Sequence, residues 1–311
     1  MDAEKAEQAI NTVKMQAESY IQRFLSDPFE FSSPGGVPAE GGRDGHAELW
    51  EAVKYVMTAP GKRIRPILVL TAGKMLSVPV DKTLSFLLAI EYLHNSTLVH
   101  DDLPALDNDD YRRGKPTCHK VYGEGVALMA GNAMTAKAFS VIAADNKLED
   151  AEKVQLIGLL SDAYYEICLG QVLDLKKPDE TQSIKNRRKS LEFKHLRKTG
   201  ALFIACLQGM LLLSPYVGDA EAEKSILEIG ENLGLLFQAT DDILDSISDE
   251  QTGSSRDEIL GIDTYVTIFG ADLTKQIAQD LAANTKQALD YFGESAEELK
   301  GFVDYILRRD R

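Results

Sequence analysis

The chain has 311 residues, 44% hydrophobic and 27% charged, which suffices for one large core or two small ones. A net charge of −15 argues against nucleic acid as the general partner, while local basic clusters leave anionic small molecules open as substrates. Cys118, Cys168 and Cys206 are widely spaced and match no metal-ligand pattern, which fits packing roles in a reducing compartment.

The first residues, M-D-A-E-K-A-E-Q, are acidic and polar, unlike a signal or transit peptide, and no apolar run reaches the length of a membrane span. A cytoplasmic protein without a transmembrane segment is expected. Residues 2–25 place Ala6, Ile10, Val13, Ala17, Ile21 and Leu25 on one helical stripe. A Pro/Gly-rich loop fills 28–45, too near the N-terminus to divide domains. Helical character returns from Leu49 to Met57. Beyond Ile67 the periodic segments are rich in Ala, Leu, Met, Glu and Lys and show no lasting strand alternation. They predict helices near 65–76, 81–102, 122–144, 150–174, 183–213, 220–248, 264–269, 272–292 and 296–309, with breaks at Lys176–Glu180 and Ser214–Gly218. No fixed-period repeat is present. The expected fold is all-α, a single domain over 1–311 with about ten or more helices bundled around a central site.

The richest chemistry lies in His94–Arg113, H-N-S-T-L-V-H-D-D-L-P-A-L-D-N-D-D-Y-R-R. It holds Asp101, Asp102, Asp107, Asp109 and Asp110. Pro104 disfavours a helical Leu103, so the helix over 81–102 ends there. The first aspartate pair then sits at a helix C-terminus, where the macrodipole and mutual repulsion disfavour negative charge. Hard oxygen ligands in a row suit Mg²⁺, and a solvated acidic loop is the plain alternative. A second cluster, Gln238-Ala-Thr-Asp241-Asp242-Ile-Leu-Asp245, puts Asp241 and Asp245 on one helix face, with Gln238 three residues before Asp241. Like charges at that spacing repel, so the pair gains nothing on an isolated helix. Two such clusters on separate helices can share metal ions with a phosphate-type ligand.

Basic groups gather at Gly61-Lys62-Arg63-Ile64-Arg65-Pro66, at Arg112–Arg113 and at Lys198-Thr199-Gly200. In the first, glycine permits a tight backbone and the three cations can clamp an anion. Surface solvation is the alternative for each, and the preferred reading for the run at 185–189. His94 lies two helical turns before Asp101 and can either donate to a phosphate or satisfy a core contact. His100 adjoins the aspartates, His119 and Cys118 adjoin the same loop at a spacing that matches no zinc pattern, and His46 and His195 read as structural. Gln171 and Asp174 are three apart on a helix end. Gln171 can turn its carbonyl toward positive charge and Asp174 can join a metal shell, or the two form an ordinary polar pair.

Taken together, these motifs resemble the trans-isoprenyl diphosphate synthases of the polyprenyl synthetase family. The resemblance covers the chain from Gly61 to the terminal F-V-D-Y-I-L-R-R-D-R. D-D-L-P-A-L-D is similar to the first aspartate-rich motif and D-D-I-L-D to the second, and G-K-R-I-R-P, E-Y-L-H, R-R-G-K-P-T and Lys-Thr-Gly stand in the family's order. The resemblance implies the isoprenoid synthase fold, a homodimer, and three Mg²⁺ ions held by Asp101, Asp102, Asp107 and Asp241, with Asp242 and Asp245 direct or through water. It implies isopentenyl diphosphate bound by Lys62, Arg65, His94 and Arg113, and an allylic diphosphate bound by Arg112 and Lys198. Thr199, Gln238 and Gln171 would stabilise the developing allylic cation.

After D-D-I-L-D the family usually carries two lysines, each following glycine. Here Ser254 and Ile262 stand in those places, with Arg256 nearby. The residue five before Asp101 is Ser96, followed by Thr97. A large aromatic there would block a growing product, so small side chains imply a tunnel open beyond fifteen carbons and a geranylgeranyl (twenty-carbon) product. A farnesyl or longer product, a class I terpene cyclase, and a weakly active or regulatory synthase subunit are the competing readings. The intact isopentenyl diphosphate set argues against the cyclase.

Overall fold

The computed structural model describes residues 3–26, 45–176, 181–252 and 262–309. The loop expected at 28–45, apart from Gly45, lies outside the described residues, as do Ser254 and Arg256 and most of the break at Lys176–Glu180.

The described chain is all-α. In order its helices are α1 Ala3–Leu25, α2 Gly45–Met57, α3 Ile64–Met75, α4 Val80–Asp101, α5 Cys118–Tyr122, α6 Glu124–Ala143, α7 Asp150–Asp174, α8 Ile184–His195, α9 Ala201–Leu212, α10 Ala220–Thr252, α11 Tyr265–Phe269, α12 Ala271–Leu289 and α13 Glu297–Arg308. The only sheet among the described residues is a hairpin, Tyr111–Arg112 against Lys115–Pro116. Predicted stripes are buried as their period requires. Ile10, Val13, Ala17, Ile21 and Leu25 of α1 are buried, and so are Leu299, Phe302, Val303 and Ile306 of α13.

Two departures from the predicted elements have local causes. The helix expected over 183–213 is α8 and α9 joined by a π-helical turn, Leu196–Gly200. The helix expected to reach 292 stops at Leu289. A 3₁₀ stretch, Asp290–Ala296, follows, and Gly293 at φ 59° turns the chain into α13.

Contacts group the chain into two compact units, one of residues 13–67 and 81–157, the other of 1–12, 68–80 and 158–311. In the first, α2 packs on α5 and α6, and α4 is buried nearly all round, from Phe86 to Leu93 and again at Asn95, Ser96 and Val99. In the second, the long α10 packs along α12, α9 and the π turn. Gly230 of α10 makes the α9 crossing close, because a Cβ there would stand 2.9 Å from Ile204 Cα.

Helices α6 and α7 meet the length and composition of a span, a test that core helices also pass, and neither overturns the expectation of no transmembrane segment. In α6 the apolar content serves packing on one side, where Ala127, Ala130, Met134 and Ala138 are buried. Leu128 and Met129 remain exposed.

Candidate active site

The first unit carries the first aspartate motif and the clamp of G-K-R-I-R-P. Helix α4 ends on Asp101, one residue short of the predicted end, and the following loop folds back tightly. The Asp107 N–H donates to the Asp101 carbonyl at 2.9 Å, and the Asn108 N–H to Leu103 at 3.2 Å. This closure brings the backbones of Asp101 and Asp107 together. Asp102 instead turns inward. It is buried and accepts Arg112 Nε at 2.6 Å. Burial raises its pKa from the ordinary value and Arg112 only partly offsets this. The assignments of Asp102 to metal and Arg112 to diphosphate therefore draw on two groups already bound to each other.

Arg112 and Arg113 belong to the hairpin. Arg113 and Gly114 both have positive φ, 53° and 76°, which is the backbone of a type I′ turn. The turn brings the Arg113 guanidinium onto Gly61, where an added Cβ would meet Nη1 at 2.8 Å. Arg65, buried at the start of α3, lies 3.3 Å from His94 Nε2 on α4. Desolvation, then Arg65, Arg113, Arg112 and Arg63, hold His94 well below its ordinary pKa. Protonation of the ring is disfavoured among these cations, an arrangement suited to an anion. Lys62 precedes α3 in the same loop and is half-buried.

Arg63 does not join this clamp. It is buried, ion-paired to buried Glu91 at 2.5 Å, and donates to the carbonyls of Met57 and Ala59. The three-cation clamp read from the sequence is thus two cations and a structural arginine. Ser96 is wholly buried, its hydroxyl donating to Leu93 and accepting from Thr135 of α6. Thr97 donates to the His94 carbonyl. His100 packs so closely on Gly131 that a Cβ would lie 2.2 Å from its Nε2.

The second unit carries the second aspartate motif and Lys-Thr-Gly. Asp241 is half-buried and Asp245 exposed on α10. Asp242, one residue on, faces the interior and accepts the Tyr265 N–H at 2.7 Å and Gln238 Nε2 at 3.2 Å. Burial, against those two bonds, raises its carboxyl to about 7. Its geometry anchors α11 to α10. Gln238 in turn accepts the Thr199 hydroxyl at 3.1 Å, so Thr199, Gln238, Asp242 and α11 form one chain of hydrogen bonds.

Thr199 and Lys198 ride on the π turn, which glycines on both sides accommodate. A Cβ on Gly170 of α7 would stand 2.3 Å from the Lys198 backbone N, and one on Gly234 of α10 would stand 2.6 Å from Gly200 Cα. π turns occur often at functional sites, because they shift the register of a few side chains. Replacing Gly170 with alanine forces backbone, not a flexible side chain, to move. A loss of about 2–3 kcal/mol in urea denaturation is expected, with a parallel fall in activity as Lys198 shifts. An unchanged midpoint and rate would contradict this packing.

Asp174 accepts from both Lys194, at 2.9 Å, and Lys198, at 2.5 Å. Burial would raise its carboxyl, but the two lysines outweigh burial and hold it at about 2. Its reading as an added metal ligand gives way to that of a brace for Lys198. The side-chain amide of Gln171, on the same helix, is buried without a hydrogen-bond partner among the described residues. In the basic run at 185–189, Lys185, Arg188 and Lys189 are exposed as the solvated reading expects, and Arg187 alone is drawn in, pairing with Asp263. Beside it, Ile262 offers only its carbonyl, which Thr267 uses. The sequence reading passed over Glu91 and Arg309. The signal for Glu91 was a lone acid inside an apolar helix. Arg309 reaches Asp241 at 2.7 Å.

Among the described residues, no three His, Cys, Asp or Glu side chains converge into a ready-made metal cage. The acidic donors at each motif are all carboxylates, which fits Mg²⁺, an ion that keeps waters and completes its shell with substrate phosphates.

The sequence matches the family described as Polyprenyl synthetase over residues 46–301. The chain belongs to the polyprenyl synthetase family. It is 38% identical over 283 residues to the farnesyl diphosphate synthase of Haemophilus influenzae, covering 88% of this chain and 90% of that one. It is 36% identical over 296 residues to the geranylgeranyl diphosphate synthase of Cyanophora paradoxa, covering 93% and 94%. A crystal structure of a geranyltransferase from Legionella pneumophila matches with a TM-score of 0.82 at 28% identity, over 99% of both chains. The protein is accordingly a prenyltransferase that makes trans-prenyl diphosphates, on an isoprenoid synthase fold, and its family is generally Mg²⁺-dependent.

Proposed function

We propose that the chain condenses isopentenyl diphosphate head-to-tail with an allylic diphosphate and carries the product to twenty carbons, geranylgeranyl diphosphate. The observation that carries the product length is Ser96, a small side chain wholly buried between α4 and Thr135 of α6. No aromatic ring at this position obstructs a growing chain.

Lys62, Arg65, His94 and Arg113 bind the isopentenyl diphosphate, and Arg112 and Lys198 the allylic diphosphate. Asp174 holds Lys198 in place for that role. Asp101, Asp107, Asp241 and Asp245 present carboxylates for three Mg²⁺ ions, while Asp102 and Asp242 back them from inside. When bound, Mg²⁺ supplies Lewis-acid stabilisation of the departing diphosphate. The oxygens of Thr199 and Gln238, ordered by their mutual hydrogen bond, and that of Gln171 face the developing allylic cation and stabilise it. The isopentenyl double bond then attacks, the departed diphosphate takes the proton that the new carbocation loses, and the surrounding side chains keep water from the cation. Three cysteines with no metal-ligand spacing suit a cytoplasmic enzyme, and the exposed apolar residues Leu128 and Met129 of α6 suit a homodimer contact.

The test incubates the protein with Mg²⁺, labelled isopentenyl diphosphate and five-, ten- or fifteen-carbon allylic diphosphates, and sizes the products. Incorporation with a twenty-carbon end point is expected. No incorporation with any primer overturns the reading. A cyclic hydrocarbon from an allylic diphosphate alone points to a terpene cyclase, and activity only beside another synthase points to a regulatory subunit. Ser96→Tyr is expected to shift the product to fifteen carbons or fewer. The same length distribution from variant and parent would remove Ser96 from the product-length site.

A further inference from the structure

Arg309 directly follows α13 with an extended backbone, φ −57° and ψ 138°. Its side chain is only 2% exposed. A single nitrogen, Nη2, lies 2.7 Å from each of the Phe237 carbonyl, Thr240 Oγ1 and Asp241 Oδ1, its two hydrogens shared among the three acceptors. The guanidinium carbon lies 3.9 Å from the Phe237 ring centroid, a cation–π contact. The Thr240 hydroxyl spends its own proton on the carbonyls of Leu236 and Phe237, which leaves its lone pairs for the arginine. The Phe237 carbonyl, the Phe237 ring and Thr240 thus seat the cation without help from Asp241. The guanidinium is a fixed charge beside that carboxylate.

We propose that Arg309 is a positioning residue for the second aspartate motif, a fixed counter-charge that holds one oxygen of Asp241 and limits how tightly that carboxylate takes a divalent cation. The inference rests on the reading of Asp241 as a metal ligand. Asp241 and Asp245 repel each other on one helix face, and Arg309 offsets that repulsion while no metal is bound. The same charge opposes an incoming dication. Removing it without removing the seat therefore tightens metal binding, and a lysine that keeps the charge does not.

The experiment titrates the full-length protein with Mn²⁺ alone and follows free Mn²⁺ by electron paramagnetic resonance. Arg309→Met is expected to lower the dissociation constant about fivefold, Arg309→Lys to leave it near the parent value, and the Mg²⁺ midpoint for activity to move down with Met alone. Circular dichroism checks folding. If the methionine variant does not fold, Arg309→Gln, which keeps a donor for the Phe237 carbonyl, is read in its place with the same expectation. Unchanged or weaker Mn²⁺ affinity in the folded neutral variant overturns the inference, as does equal tightening by lysine. Asp241→Asn separates the two levels. Mn²⁺ binding that survives this substitution intact refutes Asp241 as a ligand, whereas weakened binding there beside an unaffected Arg309 variant refutes only the role of Arg309.

Discussion

Asp241→Ala is expected to lower turnover by about three orders of magnitude, and Asp101→Ala by a similar factor, with both proteins folded. Loss of one ligand from a metal–diphosphate site removes several kcal/mol of transition-state stabilisation, and each ~1.4 kcal/mol is tenfold in rate. The folding cost is small by comparison. Asp241 is half-buried, and the arginine that touches it keeps the Phe237 carbonyl and Thr240 after truncation. The Asp101 backbone carbonyl, which closes the loop by accepting the Asp107 N–H, is untouched by a side-chain change. Steady-state rates at saturating Mg²⁺, beside thermal melts, separate chemistry from folding. Near-parental turnover in either variant would mean that the metal assignment is wrong.

The helices were legible because their information is local. The stripe of α1, the end of α4 before Pro104 and the span of α7 all follow from periodicity and from proline. The two aspartate motifs were legible for a similar reason, since clustered like charge is costly unless it has a use. Division of labour within each motif was not. Asp101 and Asp102 are neighbours in sequence, yet Asp102 is buried on Arg112, which folds back through a two-residue hairpin. Asp241 and Asp242 differ likewise, because successive residues on a helix point about 100° apart and only Asp242 faces Tyr265. The π turn was invisible because the close packing around it depends on two glycines distant in sequence, Gly170 and Gly234, that let other helices approach Lys198 and Gly200. Arg309 was invisible because a basic chain end carries no sign of which acid it will meet.

Glu91→Ala is expected to destabilise the protein by about 3 kcal/mol, the cost of removing the buried partner of a buried charge. Glu91 is 2% exposed in an otherwise apolar run of α4, and Arg63, 4% exposed, would keep as its acid only the more distant and more exposed Glu18, at 3.9 Å from Nε. Arg63 also sits at φ 52°, in the left-handed region that bulky residues avoid. The surrounding bonds hold it there, with Nη1 on Glu91 and Nη2 on the carbonyls of Met57 and Ala59 at the end of α2. That conformation turns Arg63 inward between Lys62 in the loop and Arg65 on α3. The pair is therefore expected to hold in place the segment proposed to clamp isopentenyl diphosphate. Glu91→Gln keeps an acceptor and loses only the charge, so its cost is expected near 1–3 kcal/mol. The double change Arg63→Met with Glu91→Leu removes both charges and is expected to recover most of the stability lost in Glu91→Ala, while KM for isopentenyl diphosphate still rises. Urea denaturation of the three variants, with KM measured on each, decides the matter. A Glu91→Ala protein as stable as its parent would show that the ion pair does not hold this loop, and a double variant with parental KM would show that the loop does not set the clamp.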